Sequence, residues 1–184
     1  DGRLVEGGHF HAAPVALAMD HLKAAMVQVA GIAERRIFRL TYGELSGLPS
    51  FLVPDSGVNS GLMLAQYTAA SVTSEARMLA VPASVDSVPT VQHHEDHVSM
   101  GAIAARTARQ VVERVADVVA IELLCAAQAL DLHEAAGEGA PGPRTTELWQ
   151  QVRRLVPTLV EDRMLHPDIA TVAIAIRRGA LPSP

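Results

Sequence analysis

Positions 98–133 contain no proline and a single glycine, Gly101. At about 1.5 Å of rise per residue, an uninterrupted helix over this stretch is a rod roughly 50 Å long. Its apolar side is carried by Ile103, Val111, Val115, Val118, Val119, Leu123, Leu124 and Leu130. A rod this long and this apolar needs partners around most of its circumference. Hydrophobic residues make up 49% of the chain, many of them alanine, and only 3% are aromatic. That balance favours packed helices over a β-sandwich. The expected fold class is therefore all-α, a bundle organised on one long helix.

The flanking segments agree. Residues 1–13 read as a glycine-containing loop, and Pro14 fits the first turn of a helix. Val15, Leu17, Met19, Leu22, Met26, Val29, Ile32, Ile37 and Leu40 then recur at helical spacing. Segment 42–57 holds Gly43, Gly47, Pro49, Pro54 and Gly57, which break both helix and strand. A second helix is predicted over 59–80, followed by an irregular stretch over 82–96. Asp96 or Ser99 is placed to cap the long helix. The Gly/Pro/Ala segment 135–144 reads as a link to two shorter C-terminal helices. Thr145 or Thr146 is placed to cap the first, which ends at Leu155. Pro167 and Asp168 start the second, and Gly179 ends it. The whole of 1–184 reads as one helical domain.

Several function classes are set aside. A net charge of −5 and no basic face argue against nucleic-acid binding. The longest apolar run, 115–130, is interrupted by Asp117 and Glu122 and is short for a bilayer, so no membrane partner is expected. Cys125 is the single cysteine, which fits a reducing compartment, the cytoplasm. The first residues, Asp1-Gly2-Arg3, show no signal-peptide pattern and no initiator methionine. The expectation is a processed product or one piece of a larger gene.

One cluster concentrates the chemistry: His93-His94-Glu95-Asp96-His97, with a second patch at His9-Phe10-His11. Imidazoles and carboxylates at this density have three meanings. They are ligand types for zinc or iron, although five consecutive residues cannot all face one ion. They exchange protons near neutral pH, or hold an imidazole-bearing substrate by charge-assisted hydrogen bonds. Or they are loop side chains capping the long helix. Spacing alone leaves all three open.

The string Glu95-Asp96-His97-Val98-Ser99-Met100-Gly101 resembles a signature of histidine ammonia-lyases, as does Pro82-Ala83-Ser84-Val85-Asp86-Ser87 before it. Asn59-Ser60-Gly61, Gln66-Tyr67-Thr68-Ala69-Ala70, Ser74-Glu75, Gly47-Leu48-Pro49 and Glu34-Arg35-Arg36 fit the same pattern. Gly8-His9-Phe10-His11 resembles the family's Gly-Asn-Phe-His. The resemblance runs from about residue 2 to residue 179 and corresponds to the family's C-terminal part. It implies a long-helix bundle within an oligomeric, commonly tetrameric, helical core. It also implies elimination of ammonia from an aromatic amino acid, using the electrophile 4-methylideneimidazole-5-one (MIO) formed from Ala-Ser-Gly. Related aminomutases return the ammonia to the β-carbon. By this resemblance Glu95 is the catalytic carboxylate that faces a substrate imidazole, and Phe10 lines the substrate pocket. His9 and His94 stand at substrate-binding positions, and no metal is implied. The phenylalanine branch resembles a different pattern, with Gln in place of Glu95 and a carboxylate where this chain has Val91. Histidine is thus the favoured substrate.

Departures gather around the pocket. His93-His94 replace the family's Asn-Gln, and His9 replaces an Asn. Ala12 and Ala13 replace a glycine and a residue that is often acidic, and Val81 replaces a frequent histidine. No Ala-Ser-Gly is present: Ala70-Ser71 precedes Val72, and Ala83-Ser84 precedes Val85. The family's catalytic tyrosine loop and its carboxylate-gripping Tyr/Arg pair lie upstream of the matched region. The expected working unit is this chain with an N-terminal lyase chain that carries the MIO, this chain alone being inactive. A 2,3-aminomutase and a non-catalytic subunit that has lost the site are the alternatives.

Overall fold

The computed structural model describes residues 2–7, 10–92 and 94–182. Among them are six α-helices and no named strand. The proline-free stretch forms one helix, α4 (Gly101–Ala135). Gly101, Ala104, Ala108, Val111, Val115, Val118 and Cys125 recur on it at three- and four-residue spacing and are buried. The helix α1 (Ala13–Thr41) has Pro14 in its first turn and packs along α4. Lys23 meets Thr107 and Arg36 meets Glu122, so the two helices run parallel. The short α2 (Gly43–Ser46) and a 3-10 turn (Ser50–Leu52) follow, inside the segment expected to be irregular. The next helix, α3 (Met63–Leu79), is antiparallel to α4: Glu75 pairs with Arg114 near one end, and Leu62 lies by Gln128 at the other. The last two, α5 (Pro143–Leu155) and α6 (His166–Arg177), close over the C-terminal half of α4.

Two cores result. Ala33, Ile37, Leu52, Leu62, Ala69, Val118, Ile121 and Cys125 join α1, α3 and α4. Ala120, Leu124, Val152, Val156, Val172 and Ala173 join α4, α5 and α6. Alanine dominates the contacts, which lets the helices approach closely. The Cys125 thiol is wholly buried, and burial, reinforced by the charge of Glu122, pushes its pKa up to about 12, so it is an inert packing group. Gln128 crosses the core interior. Its amide nitrogen donates to the Leu52 and Leu159 carbonyls, and its oxygen accepts the Leu159 N–H at 3.0 Å. At the start of α3 the Asp162 carboxylate accepts the N–H groups of Ser60 and Gly61, both at 2.8 Å, which hold its pKa below the usual range. Gly61 has φ +55, and a Cβ there would lie 2.6 Å from the Phe51 carbonyl oxygen; only glycine fits.

Three expectations are corrected. The second helix begins at Met63, because Asn59 to Leu62 are taken up by turns that Asp162 holds. Asp96 does not cap α4; Met100 precedes the helix with φ 54, and it is the Ser99 hydroxyl that accepts the Gly101 N–H. Thr146 does not cap α5; its hydroxyl donates back to Pro141 and Gly142, and Gly142 holds the N-cap position. As its apolar pattern requires, α4 is covered over most of its surface by α1, α3, α5 and α6. Exposed apolar residues lie on α1 (Val15, Leu17, Val29, Ile32) and α3 (Leu64, Tyr67, Met78), at Ile103 and Val112 of α4, and on the N-terminal arm and loops. By length and mean hydropathy α1 is able to cross a bilayer. Here one side of it lies in the core, and Asp20, Lys23 and Glu34 are buried there.

Candidate active site

The loop 81–100 projects from the start of α4 and carries the His/Glu cluster. Two cross-links fold it into a narrow hairpin. The inner one uses Ser87, whose hydroxyl accepts the Val98 N–H at 2.8 Å and donates to the Val98 carbonyl at 3.1 Å. The outer one pairs Thr90 with Glu95 through both backbone groups, and the Thr90 hydroxyl donates to the Glu95 carboxylate at 3.0 Å. Between them Val91 and Gln92 take φ of 51 and 56. That conformation is strained for a β-branched residue, and such outliers gather where a turn must aim side chains. The His94 N–H donates to the Val91 carbonyl, closing the turn. His94 and Glu95 are exposed on it, with one Glu95 oxygen already oriented by Thr90.

The N-terminal arm reaches the same place. His11 donates from Nε2 to the His97 carbonyl at 3.1 Å and accepts the Ala13 N–H at Nδ1, contacts that the Nε2–H tautomer satisfies together. Its ring stacks on that of His97, with centroids 5.7 Å apart. Ala12 presses on Gly101, where an added Cβ would lie 2.8 Å from the Ala12 Cβ. Arm and loop are thus held together at the start of α4, bringing Phe10 and Glu95 to one end of the bundle. Phe10 is 91% exposed. The phenyl ring on the arm and the Glu95 carboxylate on the turn are thus both open to solvent. His9, the remaining residue expected here, lies outside the described residues. Among the described residues no three His, Cys, Asp or Glu side chains converge to hold a metal ion.

Residues 1–154 match the family of aromatic amino acid lyases. The chain belongs to that family. It is 52% identical over 181 residues to a histidine ammonia-lyase of Symbiobacterium thermophilum, covering 98% of this chain and 35% of that protein. The crystal structure of histidine ammonia-lyase from Trypanosoma cruzi superposes with a TM-score of 0.91 at 43% identity, over 97% of this chain and 35% of that one. The tyrosine aminomutase of Streptomyces globisporus gives a TM-score of 0.91 at 42% identity, over 98% and 34%. The chain spans about a third of the length of these relatives.

The family's electrophile is built from consecutive Ala, Ser and Gly, and the residues of this chain do not fit it. Ser71 lies inside α3 and Ser84 gives its N–H to Asp20, each with valine where the glycine would stand.

Beneath the loop lies a group that sequence reasoning passed over. Lys23 is completely buried and directs its ammonium at Asp20 (2.7 Å), the Val81 carbonyl (2.9 Å) and the Thr107 hydroxyl (3.0 Å). The other Asp20 oxygen accepts the Ser84 N–H at 2.7 Å. Burial raises the Asp20 pKa, but the hydrogen bonds from Lys23 and Ser84 outweigh it and hold the carboxyl well below the usual carboxylate range. The signal was present in the sequence: an acid and a base one turn apart inside an apolar helical run.

Proposed function

We propose that this chain supplies the substrate-side wall of an ammonia-lyase acting on an aromatic amino acid, histidine being favoured. The observation that carries the reading is the exposed Glu95, oriented by Thr90 on a strained turn and joined through His97 and His11 to the arm bearing Phe10. Glu95 is the catalytic carboxylate, accepting a charge-assisted hydrogen bond from the substrate imidazole. Phe10 packs against the ring, and His94 and His9 flank it. Val91 stands where a carboxylate would favour phenylalanine. The MIO comes from the part of the lyase that this chain does not span, carried on an N-terminal partner, and the assembled enzyme works in the cytoplasm. The exposed apolar residues of α1 and α3 are the surface that such a partner, or copies of this chain in a tetrameric core, would cover.

The test is reconstitution. Ammonia and acrylate are expected from histidine only when this chain is combined with an N-terminal chain containing Ala-Ser-Gly. Glu95→Gln in that assembly lowers kcat/KM roughly 10- to 100-fold, the worth of one hydrogen bond to a charged group. Turnover by this chain alone overturns the reading, and so does a monodisperse monomer by light scattering for its assembly half.

A second reading is a 2,3-aminomutase. It is favoured by the equal structural likeness to a tyrosine aminomutase and by the remodelled His93-His94 step. A β-amino acid product in place of an acrylate decides for it.

A further inference from the structure

The position of Glu95 depends on how loop 81–100 is fixed at both ends. Its far end runs directly into α4, where Ser99 and Gly101 join it to the helix. Its near end leaves α3 at Ala80 and has no helix of its own to rest on. What holds the near end is the buried pair. Lys23 takes the carbonyl of Val81, Asp20 takes the N–H of Ser84, and the two contacts bracket Pro82 and Ala83. The ammonium donates to the Val81 carbonyl and the Thr107 hydroxyl and pairs in charge with the Asp20 carboxylate at 2.7 Å. Thr107 is itself fixed: its hydroxyl donates to the Ile103 carbonyl at 2.9 Å, two residues beyond Gly101. One buried charge pair on α1 therefore ties the near end of the loop to the same turns of α4 into which its far end runs.

A chain seeking only stability has no need of this device. Replacing a buried ion pair by apolar groups of similar size is often neutral or stabilising, whereas removing one partner is strongly destabilising. What an apolar pair cannot do is hold a specific carbonyl and a specific N–H in place.

We propose that Asp20 and Lys23 are positioning residues that fix the root of loop 81–100 and thereby set where the Glu95 turn stands relative to Phe10. The proposal rests on the reading of Glu95 given above, and its test separates the two.

The decisive variant is Asp20→Leu with Lys23→Met. In the chain as it stands, the double variant is expected to keep its helical circular dichroism and a cooperative melt. Hydrogen exchange at Ser84 and across 84–98 should quicken by about tenfold or more, the effect of losing the bonds that protect the loop, while the α4 core does not change. Thr107→Val is a milder change that touches no loop atom and is expected to fold normally. It should move exchange in the same direction by a smaller factor, so the test survives if the double variant does not fold. Exchange in 84–98 that is unaltered in both variants overturns the proposal. In the reconstituted enzyme, the factor lost on Glu95→Gln should shrink by about tenfold in the Asp20→Leu/Lys23→Met background, because a misplaced carboxylate has less to lose. Equal factors in both backgrounds overturn it too, leaving the pair a structural role only. If Glu95→Gln is silent in the unmodified background, the functional reading fails, and the exchange measurement still decides the anchoring.

Discussion

The two ends of α4 are built differently. Around its C-terminal half, Val118, Ala120, Ile121, Leu124, Cys125, Ala127, Gln128 and Ala129 are all buried under α3, α5, α6 and the 159 segment. Even the polar Gln128 is satisfied inside. At its N-terminal end the helix meets an arm and a loop whose side chains face outward, with Phe10 91% and Val85 81% exposed. One end is a finished core, and the other is a surface on which the proposed site residues stand. Contiguous apolar exposure is a feature of contact surfaces, and the reading proposed above assigns this end to the part of the lyase that a partner completes.

The exposed end rests on a buried ion pair, Asp20 with Lys23. Removing half of it should give the largest effect in the chain. Asp20→Asn leaves the Lys23 ammonium buried without its counter-charge and is expected to cost about 3–5 kcal/mol at neutral pH in urea unfolding. The sign with pH follows from the lowered carboxyl pKa. Asp20 stabilises the fold fully above its ordinary value of 3.8, and that contribution is lost as pH falls toward the depressed folded value. The stability gap between the native chain and Asp20→Asn should therefore narrow below about pH 4. A gap that stays constant from pH 7 to pH 3 would remove Asp20 from the acid response.

In the finished core the expected loss is that of a packed side chain. Ile121 is wholly buried between α1, α3 and α4, so Ile121→Ala should cost about 3 kcal/mol, the transfer term plus the cavity left behind. A cost under about 1 kcal/mol would mean that the core relaxes around the gap and is less rigid than its alanine contacts imply. Gly101→Ala tests the seam between the two regions. The new methyl would lie 2.8 Å from the Ala12 Cβ, so the start of α1 and the start of α4 must shift apart to admit it. The expected cost is about 1–2 kcal/mol, with the nuclear magnetic resonance signals of His11 and His97 shifting while those of α5 and α6 stay put.

What the sequence made legible divides along the same line. The absence of proline from 98–133, together with Pro14 and Pro167 at helix starts, announced those helices, because backbone sterics act locally; Pro143, read as part of the linker, proved to be the first residue of α5. The glycine-rich segments announced the breaks. Cap assignments to Asp96 and Thr146 failed because a capping side chain competes with other partners. Thr146 found carbonyls of its own chain to donate to, and the left-handed Met100 removed Asp96 from the helix terminus. The cluster at 93–97 was visible as composition, but its shape was not. That shape is set by Ser87 and Thr90, hydroxyls with no distinctive spacing, and by His11 from the far end of the chain. Asp20 and Lys23 were not legible because a charged pair one turn apart has the same spacing on the solvent face of a helix as inside a core.

The smallest expected effect is the most informative about the exposed end. Phe10→Ala removes as much apolar surface as any change considered, yet the ring touches little of the folded chain at 91% exposure. Its loss should change stability by less than about 0.5 kcal/mol, as for a surface residue without packing partners. Set beside Ile121→Ala, the pair asks one question of two regions: whether deleting a large apolar side chain harms the fold. The prediction is harm at Ile121 and none at Phe10. In the reconstituted enzyme the order should reverse. Phe10→Ala there should raise KM for histidine by roughly tenfold, because the ring gains its packing only when the pocket is closed around a substrate. A Phe10→Ala chain that melts several degrees lower by itself would show that the arm packs within the chain, and the division between scaffold and unfinished pocket would have to be redrawn around it.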